Sequence, residues 1–225
     1  MGRPRKFDTD RAIEVASDLF WRKGYDQTSL QDLTAAMGIS APSFYFAFGS
    51  KEALFMRVVE AYRRERVIAV RQALARPTLG QALARMFEVV IEFLTDPAHP
   101  PGCMIINNSL PLDESHSFRV VLAEQREEWR LRLRDRLERA KAEGEVPPDG
   151  LESDALSRLI VSVMWGFAVE AQSGTSREAL IKARDALLAL LGGDHAGHNH
   201  AAPRTPEESP WRGGDSLVST RSENT

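Results

Sequence analysis

Cysteine is almost absent from this sequence: Cys103 is the only one in 225 residues, which excludes an intramolecular disulfide and fits a reducing compartment. Long apolar runs are missing too. No stretch approaches the roughly 18 uninterrupted apolar residues of a membrane span. The opening MetGlyArgProArgLysPheAsp is basic without an apolar segment behind it, so neither a membrane span nor a secretory signal is expected and the expected location is the cytoplasm. Strand-like alternation and internal repeats are also lacking, which points away from sheets and solenoids. Neither sign of charge dominates: 29 Lys and Arg face 32 Asp and Glu, for a formal net charge of −3. Divided along the chain the balance shifts, with 11 basic and 9 acidic residues in 1–66 against 18 and 23 in 67–225. So small an excess does not by itself argue for nucleic acid, because most lysines and arginines solvate helix faces.

What is present is helical periodicity with clear punctuation. Ile13, Ala16, Leu19 and Phe20 set a helix from Asp8 to Lys23 that Gly24 stops. Thr28 or Ser29 caps a short second helix carrying Leu30, Leu33 and Met37, and Gly38 ends it. Ser40 with Pro42 opens a third that breaks at Gly49, and Ser50 starts a fourth that runs to about Leu74 before Pro77. Beyond lie helices expected over Thr78–Thr95, Cys103–Leu110, Ser115 or Ser117 to Glu143, Leu151–Gln172 and Ser176–Leu191. The 117–143 stretch has one apolar stripe, Leu122, Trp129, Leu133, Leu137 and Ala140, and should pack on one side only. The 151–172 stretch has little polar face and should be covered on several sides. The fold class is therefore all-α: an amino-terminal helix-turn-helix three-helix unit joined by a linking helix to a larger carboxy-terminal helical bundle. The divisions expected are a basic arm 1–6, a helix-turn-helix domain 7–66 with its motif at 29–48, a ligand-binding and dimerisation domain 67–192, and a disordered tail 193–225 rich in Pro, Gly, Ser, Asp and Glu.

A helix-turn-helix needs a short helix, a tight turn, and a second helix whose exposed residues enter the major groove. Residues 29–48 provide these, with Leu33, Met37, Ile39, Phe44 and Phe48 able to close one core and Ala41, Pro42, Ser43, Tyr45 and Phe46 left for other faces. An outward Tyr45 exposes apolar surface unless it meets a partner, and its hydroxyl is a good phosphate donor.

In order and spacing, ThrSerLeuGlnAspLeu at 28–33, MetGlyIleSer at 37–40, PheTyr at 44–45, Phe48 and SerLysGluAlaLeuPhe at 50–55 resemble the amino-terminal signature of the TetR family over residues 7–66. The resemblance implies a DNA-binding transcriptional regulator, typically a repressor released from a palindromic double-stranded operator by a small ligand. It places Thr28, Ser29 and Gln31 near the backbone or groove edge, Ala41, Pro42, Ser43 and Phe46 near bases, and Tyr45 and Lys51 on phosphates. Ala47 departs from the family pattern, in which many members have a histidine on the backbone; the arm of Arg3, Pro4, Arg5 and Lys6 can compensate in a minor groove or can be plain solvated terminus.

Other residues carry open alternatives. Cys103 reads either as a redox-sensing thiol or as a buried core cysteine, and a Cys103–His116 nucleophile pair lacks a third orienting group. His195, His198 and His200 form a weak metal-binding tract or an incidental tail. Catalysis, a metal and a cofactor are not expected. In the carboxy-terminal domain Phe87, Met104, Asn107, Trp129, Met164 and Trp165 are candidates to line a pocket for a largely apolar inducer, with Asn108 and Gln125 as further polar contacts if they point inward. Residues 151–191 are expected to form a homodimer interface. The rival function is a helical interaction module, or an enzyme, that carries a helix-turn-helix-like fold.

Overall fold

The computed structural model describes residues 8–109, 117–147 and 150–191. The 1–6 arm, His116 and the 193–225 segment with its histidines lie outside the described residues.

Side-chain caps decide where the helices begin. Asp8 accepts from the Asp10 and Arg11 amides to open α1 (Thr9–Lys23). Ser29 and Asp32 form a reciprocal capping box on α2 (Leu30–Met37). Ser40 caps α3 (Ala41–Phe48), with Pro42 in the first turn, where a missing amide hydrogen costs nothing. Ser50 caps α4 (Lys51–Leu74), and Thr78 caps α5 (Leu79–Leu94). The short α6 (Met104–Asn108) leads to α7 (Ser117–Ala142), α8 (Ser153–Gln172) and α9 (Arg177–Leu190), the last capped by Ser176. No strand occurs among the described residues.

The first three helices and the start of α4 close around Phe20, Leu33, Phe44 and Phe55, all fully buried. The core does not stop at α4. Phe118 of α7 packs against Tyr25 and Phe55, with ring centroids 4.5 and 4.7 Å away, and Phe93 of α5 stacks on Trp21 at 5.5 Å. The two halves of the chain therefore share one apolar interior. Gly102, at φ 87°, turns the chain from α5 into α6 so close to α8 that a Cβ there would sit 3.0 Å from the Gln172 Cβ and 3.1 Å from the Ala168 carbonyl.

One expectation about packing is corrected. α7 is not one-sided: it packs against α8, α4 and α5, and Arg119, Arg130 and Arg136 are buried on it. Their charges are tolerated because each has a carboxylate: Asp26 for Arg119, Glu127 and Asp154 for Arg130, and Glu145 for Arg136. The long aliphatic stems of these arginines supply apolar surface that a count of leucines misses. α8 packs against α7, α5 and α9, in line with its small polar face, while Leu159 and Val169 remain exposed in the single chain.

Candidate nucleic-acid interface

α2 and α3 meet at the left-handed Gly38, whose φ of 67° lets the chain reverse in a tight turn. Leu33, Phe44 and Phe48 point inward and are buried, with Met37 and Ile39 partly buried against them. The opposite face of α3 presents Ala41, Pro42, Ser43, Tyr45 and Phe46 to solvent. Tyr45 is 53% and Phe46 96% exposed, unusual for aromatic rings on a helix this well anchored. Gln31 and Ser29 are also exposed at the start of α2. The Ser29 hydroxyl lies 2.8 Å from the Asp32 carboxylate. Bonds from Ser29 and Lys23 hold Asp32 at a pKa of about 2.

Two residues expected at the DNA surface are placed elsewhere. Thr28 is fully buried, with its hydroxyl donating to the Gly24 carbonyl at 2.7 Å, so its side chain is not at a groove edge. Lys51 turns inward, its Nζ donating to the Tyr25 and Thr28 carbonyls at 3.0 Å each and lying 4.1 Å from the Tyr25 ring centroid. Burial pushes its pKa down. The α1–α2 connection leaves carbonyls that no helix satisfies, and a cation is their strongest partner. Lys51 thus holds the turn that positions α2.

This geometry matches known proteins. Residues 12–58 match the family model described as bacterial regulatory proteins, tetR family, and residues 80–187 match the tetracyclin repressor-like carboxy-terminal domain. The HTH-type transcriptional repressor ComR of Escherichia coli K12 is 33% identical over 193 residues, 84% of this chain and 91% of ComR. The chain belongs to the TetR family. It is a DNA-binding transcriptional regulator, and the rival readings as an enzyme or interaction module fall away. Among solved structures, a cysteine-substituted TetR-family regulator CifR in complex with 26-base-pair operator DNA is 33% identical, with a TM-score of 0.76 over 83% of this chain and 98% of that one. A TetR regulator from Rhodococcus is 37% identical with a TM-score of 0.55, over 80% and 97% of the two chains.

Behind the TetR-type head, the residues expected to line a pocket divide into two sets. Phe87 and Met104 are fully buried, and the Phe87 ring is 5.7 Å from that of Phe167, which makes both part of the core. Trp129, Met164 and Trp165 are only partly buried on α7 and α8. Near them Arg126 lies over the Trp165 ring at 5.5 Å and donates to the Ser109 hydroxyl at 2.7 Å. The Gln125 Oε1 is buried without a hydrogen-bond partner among the described residues. Asn107 does not face this region, because its Nδ2 reaches the Trp21 carbonyl, 3.5 Å away.

The sequence reading did not foresee the joint between the two halves. Asn108 is buried with its Oδ1 accepting from the Tyr25 amide at 2.6 Å and its Nδ2 donating to the Phe20 and Met104 carbonyls. Beside it Arg119 pairs with Asp26 at 2.6 Å, and Ser117 donates to Glu52. The end of α1 is therefore clasped by α6 and α7, a second link besides the continuous α4. Cys103 lies at the same joint, partly buried, with the Tyr62 hydroxyl donating to its Sγ at 3.2 Å. No helix among the described residues is long and apolar enough to cross a membrane, and no group of three metal-ligating side chains occurs among them.

Proposed function

We propose that the chain is a cytoplasmic homodimeric repressor that covers a palindromic operator and leaves it when a small, largely apolar ligand enters the carboxy-terminal domain. In this reading residues 7–66 form the DNA-binding domain and 67–192 the ligand-binding and dimerisation domain. The observation that carries it is the bare face of α3, where small Ala41, Pro42 and Ser43 permit close approach while the rings of Tyr45 and Phe46 are largely exposed to solvent. Ser43 and Phe46 meet bases, Tyr45 a phosphate, and Ser29 and Gln31 the flanking backbone. That relatives such as ComR are named repressors supports the sign of regulation.

The dimer is carried by α8 and α9. Ala155, Leu159, Ser162, Gly166 and Val169 recur at helical spacing on the exposed face of α8, all uncharged. Ala179, Ala183, Ala186 and Leu190 do so on α9. Small residues let two copies approach closely, and Leu159, Val169 and Leu190, each more than half exposed in the single chain, offer apolar surface that a second copy would cover. Ligand binding among Trp129, Met164 and Trp165 must shift a two-state equilibrium, and a 100-fold loss of operator affinity needs about 2.7 kcal/mol of differential binding. The test is a mobility shift on duplexes selected by the protein, with a compound library in the binding reaction. A true inducer must bind the operator complex more weakly than the free protein by the factor with which it weakens DNA binding. Equal affinity for both would refute induction.

A further inference from the structure

The exposed face of α3 carries no charged, amide or imidazole side chain. That composition limits what the helix can read. In the major groove guanine is ordinarily recognised by Arg or Lys on O6 and N7, adenine by Asn or Gln on N6 and N7, and cytosine by a carboxylate on N4. None of these side chains stands on α3. The Ser43 hydroxyl is 2.9 Å from that of Ser40 within the helix cap, which leaves it a weak reader. Tyr45 lies edge-on to Phe44 with centroids 5.7 Å apart, and its hydroxyl suits a phosphate. Phe46 is different: its ring is 96% exposed and has no polar atom. The one apolar feature on the floor of the major groove is the C5-methyl group of thymine.

We propose that Phe46 is a specificity-determining residue that packs against the C5-methyl of one thymine in each operator half-site. The inference rests on the reading that α3 enters the major groove, and deepens it by naming the chemical group recognised. Phe46 is almost wholly exposed among the described residues, so its substitution should leave the fold unaltered. The specificity of α3 is thus a matter of methyl groups and shape rather than of bidentate hydrogen bonds.

The test uses the full-length protein and a duplex it selects from a random pool. Each thymine is replaced in turn by deoxyuridine, which keeps every hydrogen-bonding atom and lacks only the methyl. One position per half-site should respond, with affinity falling about fourfold for one half-site and about 15-fold for both, the worth of burying one and two methyl groups. F46A should bind the thymine duplex more weakly and no longer distinguish thymine from uracil, with an unchanged thermal unfolding curve. F46L, which keeps an apolar contact, should retain part of the discrimination. Specific binding that is indifferent to uracil at every position would overturn the Phe46 inference and leave the groove placement intact. Equal losses of F46A on both duplexes would also overturn it, assigning Phe46 to the backbone. Selection of no preferred duplex would overturn the groove placement and this inference with it.

Discussion

Replacing Asn108 with alanine should destabilise the protein by about 2–3 kcal/mol, although this residue is only one of the polar groups at the joint. Its Oδ1 is the acceptor for the Tyr25 amide at 2.6 Å, and Tyr25 is buried. Without it that amide hydrogen is left unsatisfied, a desolvation penalty of about 1–3 kcal/mol. The Phe20 carbonyl suffers less, because the Gly24 amide still donates to it at 3.0 Å. Removal of the buried side chain adds a small void between α6 and α1. Urea unfolding at fixed protein concentration should show a lower midpoint with an unchanged slope, and Tm should drop by about 4–12 °C. Asn107 provides the control. It is partly buried with one contact at 3.5 Å, so Asn107→Ala should cost under about 0.5 kcal/mol. A loss of that small size for Asn108→Ala as well would refute the view that Asn108 ties α1 to α6.

Leu159→Glu, on the exposed face of α8, should yield monomers in sedimentation that hold DNA poorly, whereas a fully dimeric variant would move the interface elsewhere. Lys51→Met should cost about 1–2 kcal/mol of stability through the Tyr25 and Thr28 carbonyls and leave the salt dependence of DNA binding unchanged; a slope shallower by about one counterion would restore Lys51 to a phosphate. Asp32 should titrate at about 2 instead of 3.8 by NMR. Because its pKa is depressed in the folded state, its contribution is complete above the unfolded value and is lost as pH falls from there towards about 2, so Asp32→Asn should flatten that part of the acid limb.

Helix boundaries were legible because they are written in local chemistry. Ser40 caps its helix as expected, Ser50, Thr78 and Ser176 stand as caps where helices were expected to start, and Gly24, Gly38 and Gly49 stand at the ends of α1, α2 and α3. Such signals act within a turn of the chain and need no partner from elsewhere. The direction of long polar side chains was not legible. Thr28 and Lys51 flank the motif where a surface role is natural, yet the carbonyls of the α1–α2 turn draw both inward. Nor does the sequence say that Arg119, 93 residues from Asp26, is buried against it. Phe87 and Met104 resolve as core because the folded helices bury both completely, Phe87 against Phe167 of α8, a matter of helix placement rather than of spacing. Asn108 carried one faint signal, a pair of amides directly behind the apolar Met104, Ile105 and Ile106.

The clasp on α1 also has a mechanical consequence. A body attached by a single rod can tilt in any direction, but one held at two points turns most easily about the line that joins them. Here the rod is α4 and the second point is the polar seat around Asn108 and Arg119. In the ligand-responsive dimer proposed above, a displacement of α6 would therefore steer the α2–α3 head along a preferred arc, so that a ligand-sized push would change the pitch between two copies of α3 rather than loosen them without direction.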